Sequence, residues 1–148
     1  MPSYPLIKEV KLVRFLNTLV TAGVDGAAVD SAAIDCRGFD RILVTLDVGA
    51  TATKNGTLKF LLVDCDTSGG TYAAITGATI GTHTFGASGE AKKTHVIDCA
   101  VVPTRPFIKV RYQRETQNST IDNGYYLLYN GKRLPEAQPT DIKNQVVV

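Results

Sequence analysis

The chain has 148 residues, 44% apolar and 20% charged, with no Trp and a single Met, a composition that fits a folded globular domain and argues against disorder of the whole chain. Its 16 basic and 14 acidic residues leave a net charge of +2 with no long run of either sign, so long-range attraction to nucleic acid or to an anionic membrane is not expected. No apolar run approaches the ~20 residues that cross a bilayer. The opening MPSYPLIKEVK lacks the charged head, apolar centre and small-residue cleavage site of a signal peptide, so a soluble chain kept in a cytoplasm is the expectation.

In chain order, residues 7–20, IKEVKLVRFLNTLV, fit neither the helical nor the strand period cleanly, and a strand is expected because the remainder is β-rich. In the next segment Ile42, Val44, Leu46 and Val48 alternate with Arg41, Leu43, Thr45 and Asp47, the pattern of a half-buried strand. Asn55-Gly56 predicts a two-residue hairpin, since both positions tolerate positive φ, with Thr57–Cys65 as the return strand and Leu58, Phe60 and Leu62 on one side. Ser68-Gly69-Gly70-Thr71 turns the chain again, and the Gly-rich stretch 77–90 is expected to hold at most one short strand. Strands follow at 92–102 and from Phe107, where Ile108, Val110 and Tyr112 oppose Lys109, Arg111 and Gln113. Asn123-Gly124 and Asn130-Gly131 bracket a last strand, YYLLY, of high β propensity. The spacing predicts an all-β fold, a single antiparallel β-sandwich or jelly roll with extended N- and C-terminal segments. Residues 1–23 are an N-terminal strand or arm, 24–131 the sandwich, and 132–148 a C-terminal arm.

All three cysteines sit in tripeptides of one type, Ile34-Asp35-Cys36, Val63-Asp64-Cys65 and Ile97-Asp98-Cys99. Neighbours on a strand point to opposite faces, so pleat parity separates each aspartate from its cysteine and joins the cysteine to the Ile or Val two places earlier. A cysteine in that position is a small hydrophobe of the core. A zinc site drawn from one turn needs closely spaced ligands, whereas these cysteines are 29 and 34 positions apart. His95 and Cys99 share a face, but extended chain holds their Cα atoms about 13 Å apart. No metal and no other cofactor is expected.

Catalytic patterns are equally thin. The chain has no G-x-S-x-G elbow, no phosphate-binding G-x-x-x-x-G-K, no G-x-G-x-x-G and no H-E-x-x-H. His83, His95 and Ser88 could join an aspartate only through a geometry that an inventory of residues does not supply. Asn118-Ser119-Thr120 matches a glycosylation acceptor that a cytoplasmic chain has no occasion to use. An enzyme is therefore not expected.

The candidate binding surface is a protein interface. Arg105, Lys109, Arg111 and Arg114 lie along one late strand and Lys132 and Arg133 begin the tail, placing basic groups where an acidic protein surface would dock. Alternating cations are also what any solvated sheet face requires. Aromatics are not interleaved with them, which disfavours nucleic acid. The tail ends in Val146-Val147-Val148, which fits an arm adding a strand to a neighbouring chain, with a frayed terminus as the alternative. Tyr72, Tyr112, Tyr125, Tyr126 and Tyr129 are the residues from which a sugar platform would be built, although alternation sends Tyr126 to the face opposite Tyr125 and Tyr129.

The run GAAVDSAAIDCRGFDRILVTLDVGA from Gly26, then LKFLLVDCDTSGGTYAAITGA, then PFIKVRYQ, resembles the small β-sandwich head proteins of tailed bacteriophages, the capsid decoration or cement proteins. The likeness covers about residues 24–130 and lies in the pattern of strands; neither end matches. It implies a structural virion protein, often a homotrimer, assembled in the host cytoplasm and carried on the capsid surface. Its partner would be the major capsid protein, whose subunits it bridges. The alternative is a carbohydrate- or receptor-binding sandwich of a virion or cell surface.

Overall fold

A computed structural model describes residues 10–16, 28–48, 57–84, 93–114, 121–130 and 142–148. These residues form ten strands and no helix: β1 (Val10–Leu16), β2 (Ala28–Asp30), β3 (Ile34–Asp35), β4 (Arg41–Val48), β5 (Thr57–Cys65), β6 (Ala73–Thr84), β7 (Lys93–Ala100), β8 (Phe107–Arg114), β9 (Ile121–Tyr129) and β10 (Ile142–Val147). They make two sheets. Sheet A has the order β1-β9-β4-β7-β10, and sheet B the order β2-β8-β5-β6 with β3 also pairing β8. Counting β2 and β3 as one broken strand and leaving out β10, the two four-stranded layers have the interleaved order of a jelly roll. The expected β-sandwich is thus the fold.

The core lies between the layers. Ile42, Val44, Leu46 and Val48 of β4 face Leu58, Phe60 and Leu62 of β5, with Ile97, Ile108, Val110, Tyr126 and Leu128 around them. Each fully buried Leu, Ile or Phe contributes about 1.5–3 kcal/mol. His95 is also buried and lies opposite Leu46 in the ladder, on the inner side.

Three expectations fail for physical reasons. β4 and β5, expected to pair as the two arms of a hairpin, do not, because β4 belongs to sheet A and β5 to sheet B; Asn55-Gly56 itself lies outside the described residues. The Gly-rich stretch forms not a short strand but most of the 12-residue β6, whose Gly77, at φ 86°, takes up a register shift against β5. Gly124 does not end a strand; it sits inside β9 because a Cβ there would stand 2.4 Å from the Phe15 ring that packs on it. Asn123-Gly124 therefore serves a close approach and makes no turn.

Candidate interaction surface

The three Asp-Cys tripeptides end strands β3, β5 and β7, and each of their aspartates is held by an arginine. Asp35 receives Arg37, with Nη2 2.5 Å from Oδ2. Asp64 receives Arg105 Nε at 2.6 Å, and the same guanidinium donates to the Asp64 carbonyl at 2.7 Å. Asp98 receives Arg41 Nε at 3.0 Å and the Tyr129 hydroxyl at 2.6 Å. The hydrogen bond from Arg37 holds the Asp35 carboxyl down at about 2.

Parity joins each cysteine to its Ile or Val as expected, but it does not always point them inward. Ile34, Cys36, Ile97 and Cys99 belong to the core. On β5, Leu58, Phe60 and Leu62 take the inner side, so Val63 and Cys65 fall on the outer side with Lys109 and Phe107 opposite them. They are nevertheless buried, at 0% and 2% exposure. The roof over Cys65 is the β5–β6 turn: a Cβ on Gly70 would lie 2.5 Å from its Sγ, so only glycine fits there.

Burial pushes the Cys36 thiol up to about 12 and that of Cys99 up to about 11. Thiols in this state are poor nucleophiles. The folded protein is therefore expected to give no reaction with a thiol reagent at pH 8, and three equivalents once unfolded; rapid labelling of Cys36 or Cys99 in the native state would contradict their burial. The sign of the pH effect follows. Between about 9 and the raised native values the folded state holds protons that the unfolded thiols have lost, so stability declines as pH rises above about 9. Among the described residues no group of three or more His, Cys, Asp or Glu side chains converges on one point.

The basic residues of β8 and of the turn before it divide. Lys109 and Arg111 do stand on the outer side of sheet B, as alternation requires. Arg111 is turned to an acid of its own chain, reaching Asp30 through two hydrogen bonds of 2.6 and 2.8 Å that hold that carboxyl below its ordinary range. Lys109 Nζ lies 4.2 Å from the centre of the Tyr72 ring. Arg105, as above, holds Asp64. The Arg114 side chain, Lys132 and Arg133 lie outside the described residues. Within what is described, the two arginines bind the sandwich together and offer less free charge than their alternation implies.

The terminal valines have a definite place. β10 adds to the outer edge of β7 in parallel, Val146 opposite Ile97 and Val147 opposite Asp98, so this arm completes the sheet of its own chain. Val146 packs on the core, Val148 lies against Gly77 of β6, and Arg41 donates to the Val148 carbonyl at 3.0 Å. The arm expected to reach a neighbour instead closes one side of the sandwich.

The surface that sequence reasoning missed is the outer face of sheet A. The ladders place Leu12, Leu127, Leu43, Asp98 and Val147 in one transverse row across all five strands. Tyr129 and Arg41 precede this row, and Arg14, Tyr125, Thr45 and Val96 follow it. Leu12 is 67% exposed at one edge and Val147 36% at the other. A solvated outer face normally reads polar. The signal was present in the alternation of β4 and β9, where Leu43 and Leu127 occupy the positions opposite the core, but strand order was needed to bring them into one row.

No family model and no curated protein matches the chain. Among solved structures it resembles a chain of the infectious bursal disease virus Gx strain, with a TM-score of 0.51 at 10% identity over 85% of this chain. The corresponding chain of the Gt strain gives 0.47 at 10% identity over the same share. In both cases the alignment spans 33% of the viral chain, so this protein matches one third of it. The Eiger TNF of S. frugiperda aligns over 88% of this chain and 99% of its own, with a TM-score of 0.39 at 7% identity. The first likeness is one of fold.

Proposed function

We propose that this protein is a structural virion protein, a decoration or cement protein that binds the assembled head of a tailed bacteriophage and stabilises it by bridging major capsid subunits. The observation that carries the proposal is the outer face of sheet A, where Leu12, Leu127 and Leu43 line up between tyrosines on a side that a lone sandwich would keep polar. Jelly rolls are a recurrent architecture of viral coats. A ligand that binds only the assembled shell stabilises it by its binding free energy, repeated over many sites, and no chemistry is required.

The test mixes the purified protein with expanded and unexpanded shells and measures co-sedimentation together with solution mass. Binding to the expanded shell as a homotrimer is the expected result; absence of binding to either form would sink the proposal. Leu12→Asp is expected to reduce attachment about tenfold or more without unfolding the protein, because the residue is exposed and its removal leaves no cavity. Unchanged attachment would move the interface off this face. A glycan-binding role has one observation in its favour, the shared face of Tyr125 and Tyr129. Both rings are already engaged, Tyr125 by the Arg14 guanidinium at 5.5 Å and Tyr129 by Asp98, which leaves a poorer platform than two open rings.

A further inference from the structure

At one end of the sandwich the chain turns from β3 to β4 through residues 36–40 and from β7 to β8 through residues 101–106, and the two turns enclose a cleft of about 310 Å³. Phe39, Val101, Pro103 and Pro106 give it apolar walls, and Val102, between two of them, is 44% exposed. The walls are fixed in place. The Cys36 amide donates to the Pro106 carbonyl at 2.9 Å, the Phe39 amide to the Cys36 carbonyl at 3.2 Å and the Val101 amide to the Asp40 carbonyl at 2.8 Å. Gly38 takes the left-handed conformation of its turn, at φ 86°, and the two prolines have little backbone freedom left to lose. Asn130, just after β9, accepts the Asp40 amide through its Oδ1 at 3.0 Å and ties the cleft to sheet A.

The charged side chains in the lining are Arg37 and Asp40. Arg37 is committed to Asp35, with Nε 2.9 and 3.1 Å from the two carboxylate oxygens and Nη2 2.5 Å from one of them, and its guanidinium stands 5.4 Å from the centre of the Phe107 ring. The exposed Asp40 carboxylate has no ion pair and no hydrogen bond among the described residues, since the bonds of that residue run through its main chain. One negative charge beside apolar walls in a preorganised cleft suits a cation carried on an apolar stem. A guanidinium suits it best, because its planar fork pairs with a carboxylate and its face packs on an aromatic ring. The cleft also continues a surface described above: Arg41 follows Asp40 and Tyr129 precedes Asn130, and both open the outer face of sheet A. From this we infer that the cleft takes an arginine side chain of the shell subunit that lies on that face, with the guanidinium on Asp40 and the stem against Phe39 and the prolines. The inference rests on the virion reading for the source of the arginine, and on geometry and charge alone for the cleft.

The probe is an acetylated, amidated peptide, Ala-Arg-Leu-Ala, titrated into the full-length ¹⁵N-labelled protein beside the same peptide with citrulline in place of arginine. Amide shifts are expected at residues 37–40 and at Val101 and Val102. The citrulline peptide, of equal shape and no charge, is expected to bind about fivefold more weakly or worse, and Asp40→Asn is expected to bring the arginine peptide down to that level. Asp40→Ser serves the same purpose should the first variant misfold. Shifts that fall elsewhere, equal affinity for the two peptides, or an Asp40→Asn protein that binds as before would overturn the site. So would a dimer of the free protein that Asp40→Asn dissociates, since the occupant would then be a second copy. Thermal unfolding of the free protein covers the remaining case: an unchanged melting point is expected for Asp40→Asn, and a lowered one would mean that the carboxylate already serves a cation of its own chain. Shell co-sedimentation separates the two claims. Peptide binding by a protein that no shell retains leaves the cleft standing and removes the virion reading; shell binding without peptide binding does the reverse.

Discussion

Replacing Asp98 with Ala is expected to lower the free energy of unfolding by about 3–5 kcal/mol, the cost of stripping one partner from a buried ion pair. Asp98 points to the outer side of sheet A and yet has 0% exposure, and the Arg41 side chain beside it keeps only 11%. Burial works against the Arg41 charge, and the hydrogen bonds with Tyr129 and Asp98 more than offset it, so the guanidinium stays protonated more firmly than usual. Remove the carboxylate and Arg41 loses its counter-charge while the Tyr129 hydroxyl loses its acceptor. With a urea slope of about 2 kcal/mol/M, the midpoint should fall by roughly 2 M. The double replacement Arg41→Met with Asp98→Leu should cost much less, because no charge is then left stranded. A loss below about 1 kcal/mol for Asp98→Ala would mean that Arg41 swings out to water at little cost.

Removing residues 142–148 is expected to destabilise the sandwich by about 3 kcal/mol or more, from the lost burial of Val146 and the lost ladder with β7. Five register pairs join β10 to β7, from Ile142 opposite Thr94 to Val147 opposite Asp98. Two further backbone bonds, Val148 N–H to the Asp98 carbonyl and Ala100 N–H to the Val148 carbonyl, fasten the end. Truncation also strips the Arg41 guanidinium of one acceptor and uncovers the edge of β7. The truncated protein should therefore melt earlier and self-associate more readily, since a bare edge templates pairing. Unchanged denaturation would show that β10 adds no stability where it lies. If the strand serves a neighbour, stability at low concentration would fall in the full-length protein too, and a dilution series distinguishes the cases.

Alternation made much of this fold legible. The two sides of β4, β8 and the YYLLY segment follow from period-two patterning, which depends only on the pleat. Patterning does not say which side is the core when both are apolar, and on β5 the faces Leu58-Phe60-Leu62 and Leu61-Val63-Cys65 differ little in hydrophobicity. At the end of the outer one Cys65 is covered by the Gly70 turn, a tertiary event with no local signature beyond the glycines themselves. The turn expected at Ser68–Thr71 joins β5 to β6, whereas the one expected at Asn123-Gly124 fails for a related reason. Glycine marks positions that need positive φ or lack of a side chain, and at 124 the need comes from Phe15, over 100 residues away in the chain. The interface residues named from charge were partly legible: their alternation on β8 is real, but Asp30 and Asp64, which engage Arg111 and Arg105, come from other strands.

The strand order also governs when the protein can fold. Among the described pairings only β5 with β6 joins strands consecutive in the chain; β1 must wait for β9, β2 and β3 for β8, and β4 for β7 and β9. Topologies dominated by distant pairing fold slowly, on the order of milliseconds to seconds, because loop closure precedes any reward from contact. On the ribosome, β1 and β4 emerge long before β9, so the strand that later pairs beside β9 and the strand that later centres the core travel together without partners. A growing chain in this state exposes Leu12, Ile42, Val44 and Leu46 at once. Holding factors that bind extended apolar strands would meet the nascent protein through the same residues that later bury its core and line its outer face.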